Sequence, residues 1–215
     1  MLEKKYQILK RLPPWKGAFF YQKSEVLYQL TVVFCKRFLP ARGDRTVDQM
    51  VQAARSGKQN IIEGTEAGET SSETHIKLLN VARASLHELR EDFHDFLLSH
   101  QLPTWTAENP RYDNMLGFCR QHNRLEDYEP YFEKWTEEEM ANIGLTLCHI
   151  TDRMLSSHLA KLEKTFVNEG GIKERMHAAR TGYRQAEMAE LQHLREENHR
   201  LRALLKKHGI EAEDL

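Results

Sequence analysis

The feature that most constrains this chain is a row of apolar residues running from Leu79 to Phe96. Leu79, Ala82, Leu86, Leu89, Phe93 and Phe96 follow one another at steps of 3-4-3-4-3. That alternation keeps a single stripe of an α-helix facing inward, and it is the seam of a left-handed helical bundle. A strand would need a period of two, which the segment lacks. Such a helix draws its stability mainly from burial of its stripe against neighbours, so the chain must supply partners.

Three further segments fit that role. Ser24 reads as an N-cap with Glu25 in the first turn, opening a helix to about Phe38 that buries Val26, Leu27, Leu30, Phe34 and Phe38. Pro40 and Gly43 make the turn that follows. Thr46 and Gln49 have the spacing of a capping box, which opens a second helix with the face Val47, Met50, Ala54, Gly57, Ile61 and the endings Gly64 and Gly68. Gly57 costs about 1 kcal/mol relative to alanine inside a helix; close approach of a neighbouring helix would explain it, and so would simple tolerance. Ser71 or Ser72 caps the third helix, and Pro103 stops it. Thr136 and Glu139 form another capping box, opening a fourth helix through Met140, Ile143, Leu147, Ile150, Met154, Leu155, Leu159, Leu162 and Phe166 to the stop at Gly170-Gly171.

The fold class expected is all-α: an antiparallel up-down four-helix bundle over residues 23–170. A basic leader, 1–22, precedes it. Residues 103–135 break the helical period with Pro103, Pro110 and Pro130 and hold a short helix near Tyr112–Arg120. Trp105, Tyr112, Phe118, Tyr128, Tyr131, Phe132 and Trp135 make this an ordered, acidic insertion between the third and fourth helices. A helical extension, 171–215, follows the bundle. Its seam Leu191, Leu194, Asn198, Leu201, Leu205 reads as a short coiled coil with an asparagine at a core position, a device that sets register and oligomer state. Self-association of this tail is favoured over folding back.

Three cysteines, Cys35, Cys119 and Cys148, form no paired framework, and an odd count suits a reducing, cytoplasmic setting. The opening residues Met1-Leu2-Glu3-Lys4-Lys5 are not followed by the apolar run of a signal peptide. No uncharged apolar stretch approaches the roughly 18 residues that span a bilayer. No nucleophile elbow, phosphate-binding loop or dinucleotide fingerprint is present. Glu91-x-x-His94 matches the spacing of di-iron bundles, but the core stripe leaves Glu91 off the inner face and no second motif accompanies it. No enzyme activity, cofactor or metal is expected.

Net charge is −1, so the chain as a whole does not announce a nucleic-acid binder. Its basic residues nevertheless cluster: Lys4, Lys5, Lys10, Arg11 and Lys16 in the leader, Lys36, Arg37, Arg42, Arg45, Arg55 and Lys58 around the second helix, and Lys173, Arg175, Arg180 and Arg184 beyond the bundle. Lysines and arginines grouped in this way hold phosphates, and the leader's aromatic rings would stack on bases.

Helices two and three also carry a sequence signature. Gln49, Ala53, Ala54, Ser56, Asn60, Ile61, Glu63 and Gly64 stand at the spacing Q-x-x-x-A-A-x-S-x-x-x-N-I-x-E-G, and Ala82, Ser85, Leu86, Glu88 and Leu89 follow as A-x-x-S-L-x-E-L. Together these blocks resemble the signature of the four-helix-bundle proteins encoded in 23S rRNA intervening sequences, in their longer form, over about residues 20–165. The resemblance implies a protomer that assembles into a ring, usually a homopentamer. It also implies kinship with the accessory variability protein of diversity-generating retroelements, which partners a reverse transcriptase and its RNA. It brings no catalytic residues. Asn60 is expected to bond the loop near Gly64, and Ser85 and Glu88 to bond that same turn.

The function expected is that of a non-catalytic, homo-oligomeric accessory protein. It would hold structured RNA, or an RNA–protein complex that includes a reverse transcriptase, through Lys4, Lys5, Lys10, Arg11, Arg42, Arg45, Arg55 and Lys58. The alternative is an oligomeric protein-interaction scaffold that never touches nucleic acid.

Overall fold

A computed structural model describes residues 14–39 and 45–208. Among these residues there are six α-helices and no strand: α1 (Phe19–Phe38), α2 (Arg45–Ala67), α3 (Ser72–Ser99), α4 (Tyr112–Gln121), α5 (Glu137–Glu169) and α6 (Ile172–Lys207). The described residues up to Asn168 form one compact unit, and those from Glu169 onward belong to a second.

In the first unit the seam read from sequence is buried throughout: Leu79, Ala82, Leu86, Leu89, Phe93 and Phe96 are each at most 5% exposed. Val26, Leu27, Leu30 and Phe34 from α1 join them, with Met50, Ala54 and Ile61 from α2 and Met140, Leu147, Leu155 and Leu159 from α5. Each fully buried leucine or phenylalanine contributes about 1.5–3 kcal/mol relative to exposure. On α5, Ile150 and Met154 are half-buried, and Thr151 takes the inner position between them.

Neighbouring helices run in opposite directions. A Cβ on Gly57 would meet Leu86 at 3.3 Å, and one on Gly64 would meet Leu78 at 3.1 Å, so α2 descends as α3 rises. Between α3 and α5 the contacts are His75 with His158, Arg83 with Asp152, and Phe93 with Gly144. Phe20 packs at a tilt against His158, and Arg37 donates toward Met140, which opposes α1 to α5. Gly57 therefore stands at a close helix approach. So does Gly144, where an added Cβ would lie 2.6 Å from the Phe93 ring.

Several helix ends differ from expectation. α1 begins at Phe19, with Ala18 at its N-cap, and Ser24 is buried inside it with its hydroxyl donating to the Tyr21 carbonyl at 2.7 Å. The helix starts earlier than expected because Tyr21 joins the core, and the short turn Trp15–Gly17 precedes it. α2 begins at Arg45, which puts Thr46 within the first turn, and it runs through Gly64 to Ala67 because Gly64 is the point where Leu78 packs. Ser71 does cap α3, accepting from the Thr74 N–H at 3.1 Å. Thr136 and Glu139 form the reciprocal box at α5, with Thr136 N–H to Glu139 Oε2 at 2.9 Å. Gly170, at φ +71°, stops α5.

The insertion is ordered and tied to the helices. The indole N–H of Trp105 donates to Glu138 at 2.6 Å, its backbone N–H donates to Asn142 at 2.7 Å, and Arg111 lies over its ring. Tyr128 is fully buried, and Phe118 packs edge-on against both Tyr128 and Trp135. The strongest tie comes from α1. Lys23, fully buried, donates its ammonium to the carbonyls of Cys119 and of His122, the latter at 2.8 Å. These are end carbonyls of α4 that lack helical partners and sit at the negative end of its dipole. Burial pushes the Lys23 amine below its ordinary value, with the neighbouring Cys119 and Asp127 opposing that shift.

In the second unit α6 opens with Glu174 accepting the Gly171 N–H at 2.9 Å and closes with Lys206 and Lys207 in its last turn. Both placements oppose the helix dipole. Among the described residues no helix is long and apolar enough to cross a membrane.

Candidate functional site

Two of the larger grooves among the described residues of the first unit differ in charge. One is a groove of about 1170 Å³ along α2 and α3. It is lined by Arg45 and Arg55, both exposed, and equally by Asp48, Glu88 and Asp92. Burial, with Asp95 and Glu88 nearby, pushes the Asp92 carboxyl up. The predicted arginines are therefore brought to one groove, but that groove carries mixed charge. Lys58 adjoins the groove, its ammonium 4.4 Å from the centre of the Tyr28 ring, which forms part of the lining. Lys4, Lys5, Lys10, Arg11 and Arg42 lie outside the described residues. Arg37 is engaged by the insertion, donating to the Phe132 carbonyl and lying 3.8 Å from Glu133.

The signature residues beside this groove do not lock a turn. Asn60 donates to the Ser56 carbonyl at 2.9 Å and to its hydroxyl at 3.2 Å, and Ser56 and Ser85 bond across α2 and α3 at 2.9 Å. The expected contacts with the loop at Gly64 are replaced by a polar tie halfway along the two helices. The small side of α2 brings the two backbones close enough for hydroxyls to meet.

The other surface is a cleft of about 930 Å³ bounded by α1, α4 and α5. Phe19, Phe20, Trp105 and Tyr112 supply aromatic walls, and Leu116, Ile150 and Met154 supply apolar ones. Arg120, Arg153 and Lys161 supply charge, and no aspartate or glutamate lines it. His149, Arg153, Ser157 and Lys161 recur every fourth residue and so form one row along α5. Asp152, on the adjoining face, is bonded by Arg83 at 2.7 Å and His87 at 3.1 Å on α3. Phe19 stays 59% exposed at the mouth. Burial lowers the affinity of His149 and His158 for protons; Arg90 adds to this for His149 and Lys161 for His158. Both imidazoles are neutral at pH 7. Grouping cations by closeness in sequence misses this cleft. The signal that finds it is the acid-free i, i+4 row on α5.

Among the described residues no group of three or more histidine, cysteine, aspartate or glutamate side chains is placed to hold a metal ion. All three cysteines are buried; burial pushes Cys119 up to about 12 and Cys148 higher still, so these two thiols remain protonated.

On α6 the tail seam faces solvent: Leu191, Leu194 and Leu201 are about half exposed, Asn198 is exposed, and Leu205 is partly covered. Compared with protein-family models, with curated proteins and with solved structures, the chain matches none.

Proposed function

We propose that this chain is a homo-oligomeric, non-catalytic accessory protein that binds structured RNA, or an RNA–protein complex built with a reverse transcriptase, through a basic surface repeated in every copy. In this reading α1, α2, α3 and α5 form an antiparallel up-down four-helix bundle, residues 103–135 are inserted before its last helix, and a pentamer is the favoured assembly. The opposed contacts of α2 with α3, of α3 with α5 and of α1 with α5 support the bundle.

The observation that carries the functional reading is the solvent-facing seam of α6. Leucines at a and d positions, interrupted by Asn198, favour pairing with the same helix of another copy. Association multiplies Arg45, Arg55 and the leader lysines, so modest phosphate contacts add up to avidity. Binding of a labelled RNA hairpin, measured over a salt series, tests this. The logarithm of affinity should fall steeply with the logarithm of salt, and Arg45→Glu/Arg55→Glu should flatten the slope by about two. A flat salt dependence, or an unchanged slope in the variant, contradicts the reading. A second reading, an oligomeric protein scaffold without nucleic acid, is favoured by Asp48, Glu88 and Asp92, which share the groove with the two arginines; absence of hairpin binding selects it.

A further inference from the structure

The aromatic, acid-free cleft between α1, α4 and α5 asks for a ligand that the α2 groove does not. The chain has 32 acidic and 31 basic residues, yet this cleft gathers three cations and no carboxylate. None of Arg120, Arg153 and Lys161 takes part in an ion pair found among the described residues. The acidic residue of α5 nearest the row, Asp152, is occupied by Arg83 and His87. Uncompensated cations beside open aromatic faces suit a ligand that is both anionic and flat. The phosphates of a nucleic acid meet the first demand and its bases the second.

Spacing selects the form of that ligand. Arg153 and Lys161 are eight residues apart on one helix, about 12 Å at 1.5 Å per residue. Stacked nucleotides rise about 3.4 Å each along one strand, so the row spans roughly three to four of them. Paired bases keep their faces stacked inside the duplex, and only an unpaired strand can lay them against Phe19, Phe20 or Tyr112. Ser157, between Arg153 and Lys161, and His149, one turn before Arg153, offer hydrogen bonds to either sugar or base.

We infer that the α1–α4–α5 cleft binds unpaired nucleotides of a single strand, with phosphates on Arg120, Arg153 and Lys161 and bases against Phe19 and its aromatic neighbours. This rests on the reading of the protein as a nucleic-acid binder but assigns a separate site, one that engages bases where the α2 surface engages only phosphates.

The test titrates the full-length protein into a fluorescent single-stranded oligouridine, an RNA hairpin whose stem is closed by a non-nucleotide linker, and adenosine monophosphate. The native chain is compared with Arg153→Glu/Lys161→Glu, Phe19→Ala and Arg45→Glu/Arg55→Glu. All five positions are solvent-exposed, and circular dichroism verifies that each variant keeps its helix content. The cleft reversal should weaken oligouridine at least tenfold and leave the hairpin within twofold. Phe19→Ala should weaken oligouridine about tenfold, within the range for one lost stacking partner. Unchanged oligouridine binding in the cleft variants overturns the inference while hairpin binding through α2 survives. Oligouridine binding lost in the cleft variants, with no hairpin binding at all, supports the cleft and overturns the structured-RNA reading. Binding of the mononucleotide as tightly as the strand overturns the strand assignment in favour of a free nucleotide. A change of assembly mass in the cleft reversal without any change in oligouridine affinity makes a second copy the occupant and also overturns it.

Discussion

Replacing Gly144 with alanine sets two measurable effects against each other. Inside a helix, alanine is favoured over glycine by about 1 kcal/mol. At this position the new methyl would stand 2.6 Å from two carbons of the Phe93 ring and 2.9 Å from a third. Phe93 is fully buried and lies edge-on to Phe34 with 5.2 Å between ring centres, so swinging it aside would disturb that packing. Forcing an extra carbon into such a core costs about 1–3 kcal/mol, and more where the wall is rigid. Contact this close belongs at the upper end, so the net effect is a loss of about 1–2 kcal/mol. Gly117 on α4 is the control, since a Cβ there meets nothing within 4 Å; Gly117→Ala should stabilise by up to about 1 kcal/mol. Thermal denaturation followed by circular dichroism, at one fixed protein concentration, reads both. For a chain of this size the melting temperature should move by about 2–4 °C per kcal/mol, downward for Gly144→Ala and upward for Gly117→Ala. Equal stabilisation by the two substitutions would refute the close packing of α3 on α5.

Lys23→Met keeps most of the side chain's length but leaves the carbonyls of Cys119 and His122 without their donor; a loss of about 1–3 kcal/mol is expected, with hydrogen exchange accelerating first in α4. Because His158 holds its proton less tightly in the folded chain than its ordinary value near 6.5, the unfolded chain takes up the proton first. Stability should therefore be full above that value and decline as pH falls from it toward the lower folded value, and His158→Gln should reduce the decline, as melting curves between pH 7 and 5 would reveal. Asn198→Leu removes the polar position in the tail seam; thermal stability should rise while light scattering shows a broader spread of masses.

The long helices were legible because burial imposes a period, and nothing in the sequence between Leu79 and Phe96 competes with it. Capping was legible where side chains carry it, at Ser71 and at Thr136 with Glu139. It failed at Ser24, whose hydroxyl serves equally well bonded to a carbonyl three residues back inside a helix. The twin roles open to Gly57 were separable only once Leu86 was seen against it. Lys23 gave no signal, since a lone lysine on an apolar face reads as an outward side chain until the carbonyls of α4, almost a hundred residues away, arrive beneath it. The cleft draws Arg120 from one helix and Arg153 with Lys161 from another, and a search for runs of basic residues passes over cations that only folding gathers. Arg45 and Arg55 were found by just such a search, which could not foresee Glu88 and Asp92 crossing from α3 to share their groove.

The central claim, a multivalent assembly that holds RNA, is tested most directly by the absolute mass of the purified protein, with nucleic-acid and protein absorbance read across the same peak. The account predicts a peak several times the 25.2 kDa of one chain, carrying nucleic acid that leaves at high salt. A clean monomer free of nucleic acid would contradict both the assembly and its ligand.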